Sequence, residues 1–261
     1  MRLVKPTVFV TRPEGAYAGA ERLRVKLESL GFRPVFLPIS KVEQLSLTAQ
    51  TKDVVRRVLA TDGQWIAFLS PSAVFIFKNV LERVLHSTKI PASILLAAQG
   101  KGTAEAIEEC FGRKADFLPT VFVAEEFAKQ LAQFIDEGAK VFVPQSADGR
   151  DVFAPTLRAL AVPAETIDTY CIVDEPLSEE LKSKVRGLVG IEAYVVFMSP
   201  SSVRATARAF KEDRAALESL RIVSVGPVTT EAVQACGLKV FTEATEHSED
   251  GVLEALKKAA G

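Results

Sequence analysis

The chain has 261 residues, 48% of them hydrophobic and 25% charged, the composition of a globular protein with material for one large domain or two small ones. Lys plus Arg number 32 against 33 for Asp plus Glu; that balance, with no basic run and no aromatic-basic interleaving, argues against nucleic acid as a partner. The longest apolar run, 193–198, is six residues, far short of the roughly 20 of a membrane span, and residues 1–6 lack the apolar stretch of a secretory signal, so a cytoplasmic protein with no membrane partner is expected.

Short β-branched runs alternate with amphipathic stretches. Residues 8–10 read as a strand. Residues 18–30 read as a helix with Leu23, Leu27 and Leu30 at helical spacing, stopped by Gly31. Strand 33–37, helix 54–59, strand 65–69, helix 71–85, strand 94–98 and helix 103–111 follow. Then come strand 141–143, helix 152–161, strand 166–173, helix 179–188, strand 194–198 and helix 200–210. Strand 222–225 and helices 228–235 and 251–259 complete the series. Such alternation means βα units and parallel sheets with helices on both faces.

The sequence also repeats itself. Residues 66–74 match 195–203, each carrying a Ser-Pro-Ser: Ser70, Pro71 and Ser72 in the first copy, Ser199, Pro200 and Ser201 in the second. Residues 100–106 match 226–232, with Gly100 and Thr103 answering Gly226 and Thr229. Residues 8–10 echo 141–143. Three echoes in the same order predict two similar α/β halves. A split near residue 130 is the simplest division. The alternative is one discontinuous domain, 1–37 with 175–261, and one inserted domain, 41–168, joined by linker segments 38–40 and 169–174. The extended segments 36–40 and 169–173 are where the chain would cross between domains in the second division.

Each Ser-Pro follows a strand and opens a helix. A serine hydroxyl caps a helix by accepting from a free N–H, and proline at the first helical position loses no hydrogen bond. The same place is where open parallel sheets bind ligands, beyond the carboxyl ends of the strands. Helix N-termini there offer free N–H groups to anions. Capping and anion binding both explain these serines. In the Gly-x-x-Thr segments, glycine admits close backbone approach and threonine adds a donor and an acceptor. Neither segment has the full dinucleotide-binding pattern or a P-loop lysine, so no nucleotide cofactor is expected. Arg12 and Arg150, each after a strand, suit bidentate carboxylate binding, and Lys101 is a further cation of this kind. The three cysteines, Cys110, Cys171 and Cys236, are too far apart and too odd in number for a disulfide framework. Two histidines, His86 and His247, with no CxxC or HxxxH spacing, predict no metal site.

In order and spacing, these segments resemble the uroporphyrinogen-III synthase family. The resemblance runs from Val10-Thr11-Arg12-Pro13 and Leu30-Gly31-Phe32 through the two Ser-Pro-Ser corners, the two Gly-x-x-Thr turns and Thr169-Tyr170, nearly the whole chain. It implies two flavodoxin-like α/β domains with parallel sheets, a two-stranded linker and a cleft between them, and so favours the discontinuous division, 1–37 with 175–261 and 41–168. It implies a cofactor-independent lyase: hydroxymethylbilane, a linear tetrapyrrole, loses its terminal hydroxyl and closes with inversion of ring D, giving uroporphyrinogen III for tetrapyrrole and heme synthesis. It makes Tyr170 the proton donor to the departing hydroxyl, an ordinary tyrosine being protonated at neutral pH. The candidate substrate-binding residues are Arg12, Ser70, Ser72, Lys101, Thr103, Arg150, Ser199, Ser201, Gly226 and Thr229. A monomer receiving its substrate by transient hand-over from the preceding pathway enzyme is the expected form. The rival readings are a non-catalytic, two-lobed hinged binder of an anionic small molecule and, with less support in the residues, a two-domain glycosyltransferase.

Overall fold

The computed structural model describes residues 5–11, 18–149 and 151–260. In chain order they form β1 (Thr7–Val10), α1 (Ala18–Ser29), β2 (Arg33–Phe36), β3 (Ser40–Gln44), α2 (Ala49–Leu59) and β4 (Trp65–Phe68). Next are α3 (Pro71–Leu85), β5 (Leu95–Ala98), α4 (Lys101–Phe111), α5 (Ala124–Ala132), β6 (Val141–Ser146), α6 (Phe153–Ala159) and β7 (Ala164–Asp174). The chain continues with α7 (Glu179–Arg186), β8 (Ala193–Phe197), α8 (Pro200–Ala209) and α9 (Arg214–Glu218). It ends with β9 (Arg221–Ser224), α10 (Pro227–Ala235), β10 (Val240–Glu243) and α11 (Glu249–Ala260).

Two compact units result: Met1–Lys41 with Val173–Gly261, and Val42–Ile172. The division falls inside β3 and β7. Each unit holds a five-stranded sheet, ordered β10-β9-β8-β1-β2 in the first and β3-β7-β6-β4-β5 in the second. Counted along the first unit alone, the spatial order is 2-1-3-4-5, that of a doubly wound flavodoxin-like sheet. Its four strand pairs are all parallel. In the second unit β5, β4, β6 and β7 are likewise parallel.

Period-two alternation between two buried faces explains why the central strands carry continuous apolar runs. In the first sheet Val8, Val10, Tyr194, Val196 and Val223 pack with α1 and α11. Phe9, Val195, Phe197 and Ile222 pack on the other face with α7, α8, α9 and α10. The second sheet divides the same way. Ile66, Phe68, Leu96 and Phe142 lie under α2, α3 and α4, while Trp65, Ala67, Val141 and Val143 lie under α5 and α6. Each large side chain so enclosed contributes about 1.5–3 kcal/mol, so both faces of both sheets need the apolar runs seen in the sequence.

The repeat maps onto the sheets in an exchanged manner. β1 answers β6 and β4 answers β8, while the loops after β5 and β9 carry the Gly-x-x-Thr copies. The order β2-β1-β8-β9 in one sheet thus corresponds to β7-β6-β4-β5 in the other. Each unit is built from one piece of each repeat copy.

Four elements lack a sequence expectation, among them β3, whose residues are half-buried and exposed in alternation with no apolar run. The α5 helix begins at Val123, which offers no side-chain cap. The β10 strand lies at a sheet edge with alternating half-buried and exposed residues, too polar to resemble the central strands. The α9 helix has only five residues. The α2 helix starts at Ala49, earlier than its apolar stripe suggests, because Thr48 caps it by accepting from Thr51 N–H at 3.0 Å.

Candidate active site

At the carboxyl edge of the second sheet, a backbone irregularity aims Tyr170. β6 and β7 pair residue for residue from Val141–Ala164 to Gln145–Asp168, and then Ser146 pairs with Tyr170. Thr169 is therefore the extra residue of a β-bulge, a device that re-aims side chains. Without it, Tyr170 would share a face with the exposed Asp168. With it, Tyr170 joins Ile167 and Phe142 in the cluster under α2, α3 and α4. Thr169 is itself buried, donating from Oγ1 to the Gln145 carbonyl at 3.3 Å.

Tyr170 is 5% exposed, and its hydroxyl lies 3.0 Å from Ser70 Oγ. Ser70 is also the N-cap of α3, accepting from Ala73 N–H at 3.2 Å, with Pro71 at the first helical position. The cap occupies one lone pair of the serine oxygen and leaves its proton available. Either hydroxyl of the Ser70–Tyr170 pair can be the donor. Ser72, half-buried on the first turn of α3, makes no hydrogen bond through its hydroxyl to a described residue.

The neighbouring α4 has Gly100 as its cap and therefore no capping side chain. Thr103 N–H turns back to the Gly100 carbonyl at 3.0 Å, while the two preceding residues, Lys101 and Gly102, keep the free amides of a helix start. Lys101 is exposed and unpaired among the described residues. Thr103 is 4% exposed, yet its hydroxyl makes no hydrogen bond to a described residue. It is not a cap; Gly100 holds that position.

The first unit repeats this edge with different detail. Ser199 caps α8, accepting from Ser202 N–H at 3.2 Å, and its hydroxyl pairs with that of the exposed Ser201 at 2.9 Å. Thr11 Oγ1 donates to the Val196 carbonyl at 2.9 Å, tying the end of β1 to β8. Gly226 caps α10, and Pro227 at the first position removes one amide. Thr229, like Thr103, is nearly fully buried with a hydroxyl that bonds no described residue. A Cβ at Gly226 would sit 2.8 Å from Cδ2 of His247, so a side chain there would require the imidazole to shift. No sequence signal foretold that this imidazole lies against the Gly-x-x-Thr turn.

The structure thus gathers Ser70, Ser72, Tyr170, Lys101 and Thr103 in the second unit, and Ser199, Ser201, Gly226 and Thr229 in the first. Arg12 and Arg150 lie outside the described residues. Cys110 is buried, and burial pushes its thiol up, marking a packing side chain rather than a nucleophile. Among the described residues, no three His, Cys, Asp or Glu side chains gather as a metal site would need. No described helix is long and apolar enough to cross a membrane.

A uroporphyrinogen-III synthase of Synechococcus elongatus is 23% identical over 270 aligned positions, covering 99% of this chain and 97% of that protein. The porphyrin biosynthesis protein HemD of Ruminiclostridium josui is 25% identical over 256, covering 97% of this chain and 48% of its own. The crystal structure of uroporphyrinogen-III synthetase from Helicobacter pylori has the same fold, with a TM-score of 0.60 at 18% identity over 99% of this chain and all of that one. The family model described as uroporphyrinogen-III synthase HemD matches residues 21–254, and the chain therefore belongs to the uroporphyrinogen-III synthase family.

Proposed function

We propose that this chain is a lyase of tetrapyrrole biosynthesis that closes hydroxymethylbilane to uroporphyrinogen III. The observation that carries the reading is the Tyr170–Ser70 hydroxyl pair at 3.0 Å at the carboxyl edge of the second sheet, in a chain of this family. In this reading Ser70 donates to Tyr170, and Tyr170 passes its proton to the terminal hydroxyl as the C–O bond breaks. The pyrrole electron pair expels water, leaving an electrophilic azafulvene. The azafulvene carbon bonds to the substituted α-carbon of ring D, giving a spiro intermediate. The bond from that α-carbon to the methylene shared with ring C then breaks, the methylene re-bonds to the free α-carbon so that ring D is inverted, and the proton that carbon loses on rearomatisation restores the phenol. Bonds, charges and protons balance without an oxidant or reductant.

The substrate's carboxylates suit the helix N-termini at the carboxyl edges of both sheets. Free amides there and the positive dipole ends of α4 and α10 each favour an anion by about 0.3–1 kcal/mol. Thr103 and Thr229 supply hydroxyls that have no other described partner, and Lys101, Arg12 and Arg150 supply positive charge. Holding the reacting ends together can lower the barrier by about 7 kcal/mol, so few catalytic side chains are needed. The chain acts in this reading as a cytoplasmic monomer that takes its unstable substrate from the enzyme that makes it.

The test is incubation with freshly made hydroxymethylbilane, followed by oxidation and isomer separation of the porphyrins. Type III product at a rate proportional to protein concentration is the expected result. Type I product alone, at the rate of the protein-free control, refutes the reading.

A further inference from the structure

The second unit holds one more polar group beside Tyr170 that nothing above uses. β3 and β7 are neighbours in the sheet. Leu45 N–H donates to the Thr169 carbonyl at 2.9 Å, and the Cys171 thiol lies 3.7 Å from the Glu43 carbonyl. Numbers that fall on one strand as they rise on the other make the pair antiparallel, and the register sets Gln44 opposite Tyr170. Opposed residues of an antiparallel pair project to the same side of the sheet, with Cβ atoms about 4.5–5.5 Å apart. Val42, two residues earlier on the same side of β3, packs against the cluster that holds Tyr170.

Gln44 Nε2 is fully enclosed and makes no hydrogen bond; among the described residues it is the only side-chain nitrogen or oxygen in that condition. An enclosed amide donor without a partner lowers stability. The position opposite the candidate proton donor is where such a donor has a use. We propose that Gln44 is a further substrate-contacting residue, donating from Nε2 to the oxygen that leaves hydroxymethylbilane while Tyr170 protonates it; this rests on the function proposed above. The departing oxygen has two lone pairs. One takes the Tyr170 proton and the other accepts from Gln44. The carboxamide is neutral and does not compete for the proton. Charge develops on this oxygen only as the C–O bond lengthens, so the contact strengthens toward the transition state.

The experiment compares wild type, Gln44→Met and Gln44→Glu by kcat, KM, isomer composition and melting temperature. Methionine fills the same space without a donor. Gln44→Met is expected to lower kcat by about tenfold to a hundredfold, to leave KM within about threefold, and to melt at or above the wild-type temperature. Gln44→Glu, which replaces the N–H by an acceptor, is expected to lower kcat at least as far. Wild-type kcat in Gln44→Met overturns the inference. So does a rise in KM alone, which marks a contact to a carboxylate, and so does a joint fall in kcat and melting temperature, which marks a packing role. If wild type itself yields only type I product, the proposed function fails and takes this inference with it. If wild type yields type III and Gln44→Met equals it, the inference alone fails.

Discussion

Two corners of this molecule share a sequence and differ in what surrounds it. Ser70 and Ser199 each follow a central strand, each precede a proline, and each accept from an N–H three residues on at 3.2 Å. Around Ser199 the hydroxyl's other neighbour is Ser201. Around Ser70 it is Tyr170. The adjacent turns diverge as well: α4 opens with the amides of Lys101 and Gly102, whereas α10 opens with Pro227, which has none to give. The lesson is that the repeated motif is a structural corner. In the proposed function, chemistry enters at one copy only, through a strand neighbour that the motif does not encode.

Substitutions at the two corners test this asymmetry. Tyr170→Phe, which touches only the second unit's corner, should cut kcat roughly ten- to a hundredfold while the protein stays folded; wild-type turnover in isomer-resolved assays would make the corners equivalent. Ser70→Ala should lower both stability, by about 1 kcal/mol for the lost cap, and turnover, by several-fold. Ser199→Ala should lower stability by a similar amount with a smaller effect on turnover. Denaturation midpoints and kcat measured on both variants decide the matter, and equal kcat losses would erase the contrast. Thr103→Ala and Thr229→Ala should each raise KM a few-fold with melting temperatures close to wild type, since neither hydroxyl has a described partner to lose. A fall in melting temperature without a change in KM would return both to a structural role. Lys101→Ala should raise KM only about two- to threefold, an exposed charge being well screened. That rise should shrink as salt is added.

Much of this was legible from residues alone. The helix 71–85 was read with its cap, because Ser70 and Pro71 signal a helix start and a continuous apolar stripe follows. The central strands were read because double-sided burial demands unbroken apolar runs. The β10 strand and the α5 helix escaped, the one being half-exposed and polar, the other starting without a capping side chain. At the site, the serines and threonines announced themselves by repetition. The bulge at Thr169 did not: nothing in Asp168-Thr169-Tyr170 states that one residue is skipped in the ladder, and that skip decides which side of the sheet Tyr170 occupies. Gln44 and His247 were equally silent, since their significance comes from neighbours distant in sequence, Tyr170 for the one and Gly226 for the other.

The exchanged repeat bears on how the protein emerges from the ribosome. The strand β1 is made first, yet its neighbour β8 ends at Phe197, so the sheet begun earliest waits longest for its centre. The sheet of the second unit has all its strands once Asp174 has been synthesised. Nascent chains arrested at about that length should already protect the interior unit from protease while their first 41 residues remain digestible, an inversion of the usual amino-terminal-first order of vectorial folding.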